Sequence, residues 1–172
     1  MAIDKKEMEL QEEYDFQTTS LIMKDLYSKY DATYSIEKMP TYSTVDATMS
    51  VSKGAIKNHY FVEIKSRYVN NEEYKKTMPI TVEKFLRVKE SSMDATPLII
   101  YLLNNKQYYI FNLNKIDLNK VEIKLWKIEK IQYSETSKKE EIPTIFLPVD
   151  MAVCTGDIPK NNISKPKKYA HD

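Results

Sequence analysis

Across 172 residues the sequence holds one cysteine, two histidines and two glycines. Cys154 has no internal disulfide partner, and His59 and His171 are too few for a His-rich metal site. Thiolate zinc, Cys-His catalysis and disulfide-stapled scaffolds are thereby excluded. Gly54 and Gly156 stand alone, so no glycine-rich phosphate cradle exists. Any metal must sit on oxygen ligands, which points to Mg²⁺, Mn²⁺ or Ca²⁺. No apolar run approaches the roughly 18 residues of a membrane span. The N-terminal Met1-Ala2-Ile3-Asp4-Lys5-Lys6-Glu7 lacks the apolar core of a signal peptide. The cytoplasm, with no membrane partner, is therefore the expected location.

What remains is ordinary for a globular chain. Charged residues make up 30% and hydrophobic residues 42%, with a net charge of +1. The length suits one domain with room for a sheet covered by helices. Only Arg67 and Arg87 are arginine, so the positive charge is carried almost wholly by lysine.

Hydrophobic periodicity outlines the elements. Leu10, Tyr14, Leu21, Ile22 and Leu26 recur near a 3.6 period and predict helix over the first 30 residues, either one helix with a soft spot at Thr18-Thr19-Ser20 or two short ones. Residues 31–44 read as a loop or sheet edge. Val45, Ala47, Met49 and Val51 then alternate with Asp46, Thr48 and Ser50, and after Gly54 Tyr60, Val62 and Ile64 alternate with His59, Phe61, Glu63 and Lys65. Two strands joined at Gly54-Ala55 form a β-hairpin, with glycine suited to a type II′ turn. A polar break at 68–77 follows. Pro79 opens a helix to about Glu90, and Pro97–Leu103 is a continuous apolar strand buried on both faces. Gln107–Leu113 returns as a strand, Val121–Tyr133 reads as a strand with a phase slip at Trp126, and 134–141 reads as a charged loop. Ile145-Phe146-Leu147-Pro148 is a short apolar segment. Residues 1–155 thus form a single domain, and 156–172, with Lys165, Lys167 and Lys168, read as a flexible basic tail. The order helix, hairpin, helix, strand, strand predicts an α/β domain with a mixed sheet.

The hairpin also concentrates charge. With Gly54-Ala55 as the loop, Asp46 falls opposite Glu63, with Cβ atoms about 4.5–5.5 Å apart. Lys65 lies about 6.6 Å further along the same face. Opposed carboxylates repel unless something neutralises them, and a hard divalent cation between them would. A surface ladder of cross-strand ion pairs is the structural alternative. Glu-x-Lys occurs three times, at Glu63-Ile64-Lys65, Glu73-Tyr74-Lys75 and Glu122-Ile123-Lys124. Only the first has an Asp set opposite it by a glycine turn and an apolar reverse face. His59 is about 13 Å along the strand from Glu63, too far to join such a site.

Asp46 on one strand followed by Glu63-Ile64-Lys65 on the next resembles the PD-(D/E)XK nuclease superfamily. Tyr60-Phe61-Val62-Glu63-Ile64-Lys65-Ser66-Arg67 resembles in particular the catalytic strand of small phage-type members, relatives of restriction endonucleases and Holliday-junction resolvases. Val45 stands where the motif's proline usually precedes the Asp. The resemblance implies a restriction-endonuclease-like core, in which a central meander and further strands form a mixed β-sheet flanked by helices. It implies Mg²⁺ or Mn²⁺ held by Asp46, Glu63 and the backbone carbonyl of Ile64, with Lys65 positioning the attacking water. It adds a first-helix Glu, best met by Glu13 with Glu9 and Glu12 close behind. It also gives Lys84 on the following helix a supporting place.

The implied activity is hydrolysis of DNA phosphodiester bonds in recombination or replication intermediates, by an endonuclease in a phage-infected host cytoplasm. A homodimer is implied if one site per chain is to cut duplex. Arg67, Lys75, Lys76 and Lys84 are the candidate DNA contacts; lysines hold phosphates without reading bases. The alternative function is a non-catalytic DNA- or protein-binding module that retains the nuclease fold.

Overall fold

The computed structural model describes residues 5–67, 76–104, 106–129 and 139–160. Lys75 and the tail lysines Lys165, Lys167 and Lys168 lie outside these. Helix α1 (Lys5–Ser28) is followed by an antiparallel meander of β1 (Thr33–Lys38), β2 (Ala47–Lys53) and β3 (Ile56–Arg67). Next come β4 (Thr77–Thr81), α2 (Val82–Ser91), β5 (Thr96–Leu103) and β6 (Gln107–Asn112). The chain then adds β7 (Glu122–Glu129), β8 (Lys139–Pro148) and β9 (Cys154–Asp157). The main sheet has the order β1-β2-β3-β5-β6-β9, and a second sheet has the order β4-β8-β7. β3 and β5 are parallel, and the other pairs are antiparallel. The architecture is mixed α/β, a mixed sheet flanked by helices, and its helix–meander–helix–strand order is that of the expected core.

β5 carries apolar residues on both faces because each face has a cover. Leu98, Ile100 and Leu102 pack with Val62, Ile64, Ile110 and the α1 residues Ile22 and Met23. Ile99, Tyr101 and Leu103 pack with Phe85 and Val88 of α2 and with Met78, Ile80, Ile145 and Leu147 of the second sheet. The parallel step from β3 to β5 needs a crossover, and the segment holding β4 and α2 provides it.

Several sequence expectations shift. α1 runs unbroken through Thr18-Thr19-Ser20 because Thr18 and Thr19 are buried, so packing overrides their weak propensity. Pro79 sits inside β4 rather than at a helix start, and α2 begins at Val82 behind the Thr81 cap. β4 is an edge strand, where a missing N–H is tolerated. Ile145–Pro148 belongs to β8, the middle strand of the second sheet, and β8 begins at Lys139 inside the expected loop. The chain stays in the main sheet through Asp157, with Gly156 opposite Tyr108, so the tail starts later than 156. Among the described residues no helix is long and apolar enough to cross a membrane.

Candidate active site

The hairpin turn is as expected. Lys53 pairs with Ile56, and Gly54 takes φ 58° while Ala55 does not turn positive. The register holds back to Ala47 opposite Val62. One residue earlier it slips. The Asp46 N–H donates to the Val62 carbonyl at 3.0 Å, so Asp46 and Ala47 both face Val62, the geometry of a β-bulge. Strict alternation would bury Val45 beside Ala47. With the slip, Val45 crosses to the other face and packs in the α2 cluster, while Ala47 stays in the α1 cluster.

The bulge also rearranges who bonds whom. The Ile64 N–H donates to Asp46 Oδ2 at 2.6 Å, so the side chain serves as an acceptor for the strand. The neighbouring Thr44 carbonyl instead accepts from Lys84 Nζ at 2.8 Å. A carboxylate is thereby fixed at the fork where β2 leaves β3. Asp46 does not sit squarely opposite Glu63, yet the two charges feel each other. Burial, and then the negative charge of Glu63, hold the Asp46 carboxyl above its ordinary pKa.

Glu63 is the unusual residue of β3. Its side chain is 1% exposed, and its two oxygens receive no hydrogen bond of good geometry. Each oxygen instead faces an ammonium: Lys65 Nζ against Oε1, and Lys84 Nζ at 2.9 Å from Oε2. Both lysines are 28% exposed. Lys65 shares the Glu63 face because it lies two residues on, and α2 covers that face and brings Lys84 down onto it. A buried carboxylate held only by two cations is a site with strong charge and few constraints on geometry. The surface-ladder reading does not apply to a glutamate this buried.

On the opposite face of β3, Ser66 Oγ donates to Asp15 Oδ1 of α1 at 2.7 Å, and Gln11 Nε2 donates to the same oxygen at 2.5 Å. Burial raises the Asp15 pKa to about 6 against those two hydrogen bonds, with the Asp46 charge adding to the rise and Lys65 opposing it. Of the α1 carboxylates, Asp15 and Glu12 line a cleft beside Asp46, and Glu13 does not. Glu13 is half exposed, pairs with Lys38 at 3.0 Å and accepts from Gln17 at 2.7 Å. These two partners hold its pKa below the usual carboxylate value. The sequence carries the signal for Asp15. It precedes the buried Thr19 and Ile22 by four and seven residues, whereas Glu13 shares its stripe with Gln17, Ser20 and Lys24.

The remaining candidates are spread out. Lys84 joins the site. Arg67 is half-buried at the end of β3, with Nη1 donating to the Ser66 carbonyl at 2.9 Å. Lys76 is exposed just before β4. His59 is exposed and lies 2.9 Å from Ser50 Oγ, away from the carboxylates.

The donor set fits a hard divalent cation. Asp46, Glu63 and the Ile64 carbonyl are oxygen ligands, and the Glu63 oxygens lack hydrogen bonds although they are buried. Among the described residues no three Asp, Glu, His or Cys side chains gather at ligand spacing. Two carboxylates with water and substrate oxygens are nevertheless the customary Mg²⁺ environment.

No protein-family model and no curated protein matches the chain. Among solved structures it is similar to the Holliday junction resolvase Hjc of the archaeal hyperthermophile Archaeoglobus fulgidus. The identity is 11% and the TM-score 0.39, over 83% of this chain and 92% of that one.

Proposed function

We propose that this chain is a metal-dependent deoxyribonuclease whose site is Asp46, Glu63 and Lys65. The observation that carries the reading is the buried Glu63 carboxylate, gripped by Lys65 and Lys84 beside a second carboxylate fixed by a β-bulge. A purely structural ion pair gains little from such burial, because desolvation offsets the attraction. A catalytic site gains a charged, pre-organised environment.

Asp46, Glu63 and the Ile64 carbonyl would hold Mg²⁺ or Mn²⁺, which when bound lowers the pKa of its water and neutralises charge at phosphorus. Lys65 is exposed enough to meet a phosphate oxygen and stabilise the charge that builds on it. Lys84 holds Glu63 and the Thr44 carbonyl together, and so fixes the β1–β2 loop against β3. Asp15, hydrogen-bonded to Ser66, steadies the far side of the strand. Arg67 and Lys76, with Lys75 next in sequence, would take flanking phosphates and set position. One site per chain cuts one strand, so duplex cleavage would call on two copies.

The test is binding and turnover with the whole protein. Mn²⁺ titration followed by the free-ion spin-resonance signal should give a site that Asp46→Ala weakens at least tenfold. Linear, supercoiled, single-stranded and four-way-junction DNA should then be compared as substrates in Mg²⁺ and in EDTA. Metal-dependent cutting of any of these supports the nuclease. DNA binding without cutting of any substrate, and without a Mn²⁺ site, would establish instead the non-catalytic binding module.

A further inference from the structure

A cleft opens on the α1 side of Asp46 and runs from the proposed metal ligands Asp46 and Ile64 out to the β1–β2 loop, whose residues have no part in the site chemistry just described. Its floor is Asp46 and Ile64, one wall is the α1 residue Phe16, and the other is the β1–β2 loop with Met39, Pro40 and Tyr42. Its volume is about 80 Å³, which takes the edge of one base while the rest of the ring system lies outside against the lip, and falls short of the roughly 300 Å³ that a whole small ligand fills. A phosphate is not the natural occupant, because Glu12, Asp15 and Asp46 line the cleft and its lining lysine, Lys38, is already paired with Glu13. A flat, uncharged ring with polar edges meets no such repulsion, and the lining offers it both apolar contacts (Phe16, Met39, Pro40) and hydroxyl groups (Thr41, Ser43).

Tyr42 is the residue that points to an occupant. It is 90% exposed and takes φ 77°. A tyrosine in the left-handed region is an outlier, since that conformation is easy only for glycine. Nothing in the core rewards it, because the ring does not pack there. A large aromatic held out to solvent in a strained conformation, at the lip of a cleft beside a catalytic carboxylate, is the arrangement of a stacking platform.

We propose that this cleft is a nucleobase subsite: Tyr42 stacks on an unpaired base next to the scissile phosphate. The enzyme would therefore prefer DNA with unpaired bases over continuous duplex. The inference rests on the nuclease reading and names the substrate class of the same site. In an intact duplex the bases are stacked on one another and none can enter. At a flap, a gap, a branch point or a single strand a base is free to do so.

The test compares wild type with Tyr42→Phe and Tyr42→Gly. The probe is a branched oligonucleotide with 2-aminopurine at an unpaired position, bound in Ca²⁺, beside a fully paired duplex of the same sequence. Wild type and Tyr42→Phe should change the 2-aminopurine fluorescence on binding. Tyr42→Gly should not, and should lose about 5- to 150-fold in affinity for the branched DNA, the range for one base stacked on an aromatic ring. Its duplex affinity should stay the same. Because glycine accepts the left-handed conformation, the melting temperature of Tyr42→Gly should be equal or higher, which separates lost stacking from lost folding.

If the protein cuts DNA but Tyr42→Gly keeps both the fluorescence change and the branched-to-duplex affinity ratio, the subsite assignment is wrong and the nuclease reading stands. If wild type binds no DNA and cuts none, both fall together.

Discussion

Asp15 and Glu63 carry the site's buried acidity. The folded-state pKa of Asp15 lies near 6, against an ordinary value of 3.8. A raised pKa means the folded protein binds the proton more tightly than the unfolded chain. The contribution to stability is then fully present below about pH 4 and lost as pH rises through about 6. In EDTA, Asp15→Asn removes this dependence. Its stability relative to wild type should climb by on the order of 2–3 kcal/mol between pH 4 and 6.5, measured by urea unfolding at each pH. A flat difference would mean that Asp15 is not buried as described. Glu63→Ala leaves two ammoniums facing each other without their anion. It should cost about 3 kcal/mol in the same assay, and more than Lys84→Ala, which leaves Glu63 paired with Lys65.

The closeness of Asp46, Glu63 and Lys65 was legible in the sequence because a glycine turn and a period of two fix a hairpin register. The bulge at Asp46 was not legible. It depends on a backbone hydrogen bond to Val62 and on Lys84 taking the Thr44 carbonyl from 40 residues away. That Glu13 pairs with Lys38 was not legible either, because distance along the chain to Asp46 says nothing about which side of α1 faces the sheet.

Elements with strong local patterns read correctly, and elements that owe their form to partners did not. β5 was plain because seven apolar residues in a row leave no face for water. β4 and β8 were not, because Pro79 looks like a helix opener until its strand is known to be an edge. The second half of β9 read as tail because four residues with a glycine have no pattern of their own; β6 supplies their partners. This last point has a direct check. A Cβ at Gly156 would lie 2.9 Å from the Tyr108 hydroxyl oxygen, whereas one at Gly54 meets nothing within 4 Å. Gly156→Ala should therefore destabilise by about 1–3 kcal/mol through crowding of a buried ring. Gly54→Ala should cost about 1 kcal/mol from backbone strain alone. Equal, negligible effects in thermal melts would place Gly156 outside the sheet. Thr81→Ala, which removes the hydroxyl that accepts the Lys84 N–H at 3.2 Å, should cost about 1 kcal/mol and loosen the start of α2. Because Lys84 is on that first turn, the same change should reduce turnover beyond its effect on stability.

The whole molecule is a sheet clothed on two sides, with the site at the fork where its meander opens. α1 delivers Asp15 to one face of β3 and α2 delivers Lys84 to the other, so the site depends on both cores being formed. The near-zero net charge follows from the same layout, since an acidic cleft sits beside lysines rather than on a uniformly basic surface. The central claim is that Asp46, Glu63 and Lys65 hydrolyse DNA with a divalent metal. Its most direct measurement is the initial rate of branched-DNA cleavage in Mg²⁺ by wild type and by Lys65→Ala, with both proteins shown to be folded by their melting curves. Cleavage by wild type that EDTA stops, and a loss of at least 100-fold in Lys65→Ala, is the expected result. Cleavage that survives EDTA, or that Lys65→Ala carries out at the wild-type rate, would contradict it.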